Sequence, residues 1–213
     1  MVSPRSTDSS TRRPRKTAVA GRLSKEDWLH AAFAAVVEGG FDQARVLVLA
    51  ERLGVTRGSF YWHFADHADM IAALLARWRA QEKATNTRLA ALSSDRPKDD
   101  LVQLLEAALA HAGADLENMR FELALRGLGR RDADVARMLV EVDRERMDLF
   151  EQKFRRLTGD AQQAGDLAAL FYLAIVGSYQ ALSRPNSPET TKGYLMGVIT
   201  RLVIDAARPA AKP

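Results

Sequence analysis

The sequence predicts an all-α protein, and three observations support that prediction. Apolar residues recur with the period of an α-helix along almost the whole chain. Runs of strictly alternating polarity, which would indicate strands, are scarce. Glycine, proline and short polar residues separate the periodic segments, at points where helices begin and end.

The helices can be placed in order from their caps and apolar stripes. Ser24 and Asp27 have the spacing of a capping box, and Gly39-Gly40 ends the helix that they begin. Asp66 and Asp69 form a similar pattern at the start of a long helix. The predicted helices run from 24 to 39, from 44 to 53, from 57 onward, from 66 to about 92, from 99 to 112, from about 116 to 127, from 132 to 157, from 160 to 182, and from a cap at Ser187 onward.

The net charge of +4 is unevenly distributed. Residues 1–22 contain six basic side chains and one acidic side chain, so this segment carries +5 and the rest of the chain carries −1. We interpret residues 1–21 as a disordered basic arm. Such an arm either supplements DNA binding by contacting phosphates or is a solvated tail without a function.

Composition and motifs argue against several other classes of protein. The chain has no cysteine, which excludes disulfides and thiolate metal sites and is typical of a cytoplasmic protein. The longest strongly apolar stretch, 167–176, is too short to span a bilayer, so we expect no membrane segment. No nucleophile elbow or glycine-rich phosphate loop is visible, so we expect neither an enzyme nor a cofactor. His63 and His67 are four residues apart, but Asp66 as a helix cap separates them, and no metal site is predicted.

Residues 46–64 carry the most informative motif, VLVLAERLGVTRGSFYWHF. Ala50 is small enough for two helices to cross closely, Gly54 permits a tight turn, and Val55 and Phe60 close the core between the helices. This spacing is typical of a helix-turn-helix, in which the second helix enters the major groove of DNA.

The motif and its flanks resemble the DNA-reading segment of the TetR family, the tetracycline-repressor-like regulators. The resemblance covers about residues 22–75 and rests on the Gly54-Val55-Thr56 turn, the aromatic pair Phe60-Tyr61, His63-Phe64, and the direct passage into a capped long helix. It implies a three-helix DNA-binding domain (22–68) joined by a long helix to a helical ligand-binding and dimerisation domain (69–208), with a short tail (209–213).

Side-chain chemistry in the third helix fits the reading of a DNA groove. Phe60 and Phe64 share one face and are expected to pack inward, so the residues between them project outward. Arg57 can donate two hydrogen bonds to a guanine edge or one to a phosphate, and Tyr61 suits phosphate oxygens. The predicted DNA-contacting residues are Arg45, Thr56, Arg57, Gly58, Ser59, Tyr61, Trp62, His63 and His67.

The family resemblance refines these roles and shows two departures. It implies that Tyr61 and His63 anchor the DNA backbone and that Arg57 to Ser59 and Trp62 read bases; the alternative is that Tyr61 and Trp62 only pack. Many members have a lysine where this chain has His67, which is a weaker and pH-dependent phosphate donor. Apolar residues occupy the backbone-facing positions of the second helix, which leaves Arg45 as the expected contact there.

The resemblance also implies a ligand cavity and a twofold dimer in the C-terminal region. Trp78, Phe121, Tyr172 and Tyr179 are the aromatic candidates for lining the cavity, although core packing is the better explanation for each taken singly. Glu122 and Arg126 are interpreted as ordinary helix support, and no charged cluster favours a class of ligand. The last two helices, with apolar surfaces in 170–181 and 195–203, are the expected dimer interface.

The sequence therefore predicts a dimeric regulator, most simply a repressor that a small molecule releases from a palindromic operator. An activator or architectural DNA binder of the same fold is the main alternative. A helical ligand-binding protein or enzyme whose resemblance to a regulator is vestigial is the third.

Overall fold

The computed structural model describes residues 23–110, 114–184 and 189–207, and all regular elements in these ranges are helices. The all-α prediction is confirmed. A short 3-10 turn at Phe41–Gln43, which the sequence analysis did not predict, lies between the first two helices. The α-helices are α1 Lys25–Gly39, α2 Val46–Leu53, α3 Arg57–Phe60, α4 His67–Ala91, α5 Pro97–Ala108, α6 Ala114–Leu128, α7 Ala133–Thr158, α8 Ala161–Leu182 and α9 Glu189–Ile199, which continues as a π-helical turn over Thr200–Ile204.

Local capping chemistry sets the helix starts that the sequence predicted. The Ser24 Oγ accepts a hydrogen bond from the Asp27 amide at 3.2 Å, and the Asp27 carboxylate accepts one from the Ser24 amide at 2.7 Å, which completes a capping box. Asp66 accepts a hydrogen bond from the Asp69 amide at 2.8 Å and caps α4. Gly40, with φ of 83°, follows the end of α1 in a conformation that glycine adopts without strain.

Three predicted boundaries, in the second and fifth helices, were wrong by a few residues. The second helix begins at Val46 rather than 44, because Ala44 is taken up in the 3-10 turn, where its amide donates to the Phe41 carbonyl. The fifth helix begins two residues earlier than predicted, with Pro97 at its first position, and its C-cap is Leu109. The predicted basic arm and the Ser187 cap lie outside the described residues.

The described helices enclose two apolar cores. The first contains Trp28 and Phe60 from the N-terminal helices, together with Phe121 of α6 and Val142 of α7. It therefore crosses the boundary predicted at 68–69, because α1 packs directly on α6. The second core is built around α5, α7 and α8, with Phe154 and Phe171 fully buried. The N-terminal helices and the C-terminal bundle are thus connected by shared packing.

Helix α8 has one buried face and one exposed apolar face. Its buried face packs on α7, with the Phe150 and Phe171 rings edge to face at 5.1 Å. Leu170 and Leu173 are 54% and 65% exposed. By length and composition alone α8 could cross a membrane, since its most apolar window has a mean hydropathy of 1.3, with 39% of the window buried. Core helices of soluble proteins often have the same composition.

We expect Gly54→Ala to lower the free energy of unfolding by about 1 kcal/mol. Gly54 has a φ of 67° and a ψ of 30°, the left-handed conformation that is costly for a residue with a Cβ. The matched control is Gly127→Ala on the exposed side of α6, where an added Cβ meets nothing within 4 Å and removal of a helical glycine is expected to stabilise by about 0.5 kcal/mol. Urea titrations would measure both changes; a Gly54→Ala variant as stable as the native chain would contradict the assignment of this turn.

Candidate DNA-binding surface and ligand cavity

The α2–turn–α3 unit is held in place by its buried aromatic residues. Phe60 is fully buried, with its ring edge to face with Trp28 at 5.3 Å and stacked on Phe64 at 5.2 Å. The Val55 amide donates to the Ala50 carbonyl at 3.0 Å, which closes the turn after α2. The expectation that Phe60 and Phe64 pack inward is therefore met, and Phe60 places α3 against Trp28 of α1.

This packing leaves a polar and aromatic surface exposed around α3. Tyr61 is 56% exposed and Trp62 is 80% exposed. These two large rings are therefore not buried in the core of the chain, and they remain accessible to a binding partner. Arg45, Thr56, Arg57 and Gly58 are also exposed, whereas Ser59 and His63 are half-buried. The Ser59 hydroxyl donates to the Thr56 carbonyl at 2.9 Å and stabilises the start of the four-residue helix.

His67 is placed differently from its neighbours on this surface. Its Nε2 lies 2.9 Å from the Ala44 carbonyl oxygen, which can only accept, so Nε2 carries the proton of this bond. The neutral ring then has no second N–H for a phosphate, and only the protonated ring can donate from Nδ1. The bond ties the start of α4 to the segment before α2, a structural role that the sequence did not indicate.

The predicted cavity residues fall into three different environments. Tyr172 and Tyr179 line a cavity of about 460 Å³ formed by side chains of α4 to α8. Trp78 lines a second cavity of about 300 Å³ between α1, α4 and α6, and its buried Nε1 has no hydrogen-bond partner among the described residues. Phe121 lines neither cavity; it is fully buried and stacks on Phe33 of α1 at 4.9 Å. Its large ring fills the core that joins α6 to α1.

A buried charge network borders the larger cavity, whereas the sequence had shown no charged cluster that favours a class of ligand. Glu122, only 3% exposed, accepts hydrogen bonds from Arg126 at 2.8 and 3.0 Å and from Arg146 at 2.8 Å. Arg126 also donates to Asp143 at 2.7 and 3.1 Å, and Arg146 also bonds to Glu82. The Glu122–Arg126 pair is thus one part of a network that joins α4, α6 and α7, rather than ordinary support within one helix.

The network keeps its buried carboxylates ionised. Burial opposes ionisation of Glu122, but Arg146 and Arg126 outweigh that effect and hold its pKa below the ordinary value. The pKa of Asp143 is likewise lowered, because the hydrogen bonds from Arg126 and Tyr172 outweigh burial. Burial and the hydrogen bond to Asp143 raise the pKa of Tyr172 to about 12, so this phenol is neutral at physiological pH.

The sequence analysis did not select Glu82, Asn86 or Arg146 as functional residues, although all three line the larger cavity. Glu82 and Arg146 are 64 residues apart and meet only because α4 packs on α7. Arg146 interrupts the largely apolar stripe of α7, as Lys153 also does, and this interruption was the signal in the sequence that could have identified it. Among the described residues, no group of three His, Asp or Glu side chains is placed to hold a metal ion.

The geometry near the N-terminus defines a helix-turn-helix protein, and comparisons with known proteins specify its family. Residues 29–74 match the family described as "Bacterial regulatory proteins, tetR family". The HTH-type transcriptional repressor BepR of Brucella suis is 26% identical over 175 residues, which cover 78% of this chain and 82% of BepR. The HTH-type transcriptional regulator SrpR of Pseudomonas putida is 36% identical over 62 residues, which cover 29% of each chain.

Solved structures share the fold over most of the chain. A transcriptional regulator from Rhodococcus sp. Rha1 has a TM-score of 0.72 at 18% identity, covering 90% of this chain and all of the other. A regulator from Saccharomonospora viridis, solved in complex with choline, has a TM-score of 0.66 at 17% identity, covering 82% of this chain and 94% of the other. Residues 29–74 thus match the DNA-binding region of the tetR family, and the chain as a whole is similar in sequence and fold to DNA-binding transcriptional regulators of that family.

Proposed function

We propose that this regulator is a cytoplasmic homodimer that represses transcription from a palindromic operator and is released by a small molecule. The observation that carries the proposal is the exposure of Tyr61 and Trp62 on a helix whose inward face is locked by Phe60. A rigidly held α3 with outward aromatic and cationic side chains is suited to the major groove. Arg57 and Trp62 would contact bases, whereas Tyr61 and His63 would bind phosphates.

The remaining contacts would position this unit on the duplex. Arg45, at the N-cap of α2, is exposed and would contact the backbone, as would Thr56 and Ser59 at the start of α3. The exposed Gly58 lets the DNA approach α3 closely. His67 would contribute only in its protonated form, since its Nε2 is bonded to Ala44. Phosphate contacts supply affinity and orientation but carry no sequence information themselves.

Dimerisation would be mediated by α8 and α9. Leu170 and Leu173 on α8, and Tyr194 and Leu202 on α9 and its π-helical extension, are 54% to 71% exposed. Large apolar side chains grouped on adjacent helices mark protein interfaces in soluble proteins. A twofold dimer would present two α3 helices to successive major grooves about 34 to 36 Å apart, which matches a palindromic operator.

We expect Leu170→Glu to convert the dimer to a monomer, because burying a charge in an apolar interface costs several kcal/mol. The matched control is Leu47→Glu, since Leu47 is also 54% exposed but lies on α2. Sedimentation equilibrium without DNA would compare the two variants with the native chain. A Leu170→Glu variant that dimerises as tightly as the native protein would place the interface elsewhere.

Release by a ligand is supported by the position of the larger cavity. Glu122 borders the cavity, and its neighbour Phe121 stacks on Phe33 of α1, which packs against α3 through Trp28. A ligand that shifts α6 would therefore move the DNA-contacting unit. The related Saccharomonospora viridis structure in complex with choline supports a small-molecule ligand for this fold.

Transcription in vitro would test the repressor assignment. The template carries the protein's selected binding site across a promoter, and a second template carries a scrambled site. A repressor lowers the transcript only from the first template. An increase in that transcript would instead identify an activator, and equal effects on both templates would indicate an architectural binder.

A further inference from the structure

The larger cavity has an excess of negative charge. Among its described lining residues, Glu82, Glu122 and Asp115 are acidic and Arg88 and Arg146 are basic, which leaves a net charge of −1. Asp115 and Arg88 are exposed, whereas Glu122 and Arg146 are buried. The inner part of the cavity is therefore bordered by two carboxylates and one guanidinium group. Electrostatic interactions are stronger there than at the protein surface, because Glu122 and Arg146 are buried.

Arg146 is not available to bind an anion. Its Nη1 donates to Glu122 at 2.8 Å, and its Nη2 donates to Glu122 at 2.8 Å and also to Glu82. An anionic ligand beside Arg146 would lie next to both carboxylates and be repelled by them. The same arrangement attracts a cation. Glu122 already neutralises the Arg146 guanidinium, so the negative charge of Glu82 is not fully compensated.

Aromatic and apolar side chains also line the cavity. Phe150, Tyr172 and Tyr179 line it, and the Phe150 and Tyr172 ring centroids are 6.4 Å apart. Leu104 and Ile175 extend the apolar wall. Aromatic faces attract cations as well as apolar groups, and the attraction is greatest where the cation is desolvated.

One polar group on the cavity wall lacks a partner in the part of the chain that the structure describes. The Asn86 side-chain nitrogen is buried and makes no hydrogen bond there. A buried donor is costly when it is unsatisfied. Tyr179 also lines the cavity, and burial and the nearby Glu122 charge raise its pKa, so its hydroxyl is a neutral donor. A ligand oxygen could accept a hydrogen bond from either side chain.

We propose that this cavity binds an amphiphilic organic monocation that carries a hydrogen-bond-accepting oxygen. The cationic group lies near Glu82 and the aromatic rings, the apolar part lies against Leu104 and Ile175, and the oxygen accepts from Asn86 or Tyr179. This inference rests on the proposed function, since it names the chemical class of the ligand that would release the protein from DNA.

Three probes of similar shape test the charge preference without any DNA present. They are (2-phenoxyethyl)trimethylammonium, its neutral carbon isostere 3,3-dimethylbutyl phenyl ether, and the anion phenoxyacetate. Calorimetric titration of the full chain is expected to show one site per subunit, with the cation binding at least tenfold more tightly than the isostere and phenoxyacetate more weakly still. Equal or tighter binding of the neutral or anionic probe would overturn the proposal.

A charge-neutralising variant locates the preference in the cavity. Glu82→Gln is expected to weaken binding of the cation about tenfold and to leave binding of the neutral isostere unchanged. The control is Glu145→Gln, because Glu145 pairs with Arg79 between the same two helices but does not line the cavity. Far-UV circular dichroism checks that both variants are folded. An equal loss in both variants, or no loss in Glu82→Gln, would contradict the assignment.

A failure of the proposed ligand class can be distinguished from a failure of the proposed regulatory function. If the cation binds but does not weaken operator binding, the ligand class stands and release by that ligand fails. If operator binding is specific but the cation does not bind, only the ligand class fails. Thermodynamic linkage requires that a releasing cation bind more weakly to the operator complex, by the same factor as it weakens operator binding.

Discussion

Arg57→Ala is expected to weaken operator binding on the order of 100-fold and to relax the base preference at one position in each half-site. Arg57 is exposed at the first position of α3 and has no hydrogen bond or ion pair within the described chain, so its guanidinium is free to contact DNA. A bidentate contact with guanine contributes about 1–3 kcal/mol of discrimination, and a dimer makes two such contacts.

The control for this prediction is Arg137→Ala, which removes the same charge from an exposed position on α7. Fluorescence anisotropy with operator and scrambled duplexes, at one fixed salt concentration, would measure both affinities. The control should bind like the native chain. A loss in Arg57→Ala that is equal on operator and scrambled DNA would show that Arg57 binds phosphate rather than a base.

Arg146→Ala is expected to lower the free energy of unfolding by about 3 kcal/mol. Arg146 is 9% exposed and pairs with Glu122 and Glu82, so its removal leaves a buried carboxylate with fewer partners. Removing one member of a buried ion pair is much more destabilising than removing an exposed pair, because the remaining charge stays desolvated.

The matched change is Arg155→Ala on the same helix, where the arginine pairs with Glu151 and is 56% exposed. We expect a loss of no more than about 0.5 kcal/mol there. Urea unfolding at one protein concentration would compare the two, since dimer stability depends on concentration. Similar losses in both variants would contradict a stabilising role for the buried network.

The parts of the fold that depend on neighbouring residues could be predicted from the sequence. The capping box at Ser24, the left-handed Gly54 and the cap at Asp66 each act within a few residues, so their spacing was sufficient. The inward packing of Phe60 followed from helical periodicity in the same way. These local features also carried the family resemblance, which explains why the DNA-binding unit was recognisable.

The chemistry of the cavity could not be predicted, because it depends on contacts between distant segments. Phe121 and Tyr179 were both candidates for lining a cavity or for core packing, and the sequence could not show which helix would cover each one. Phe121 meets Phe33 of α1, whereas Tyr179 borders the cavity. Glu122 looked like the partner of Arg126 four residues away, and its bond to Arg146 became evident only when α6 and α7 were packed together.

Selection of bound duplexes from a random DNA pool, at near-physiological salt, tests the central claim most directly. The native protein and a Tyr61→Ala variant are compared in parallel. The account predicts that the native dimer enriches a palindrome with half-sites one helical turn apart and that the variant does not. Failure of the native protein to enrich any sequence, or equal enrichment by the variant, would contradict operator recognition through α3.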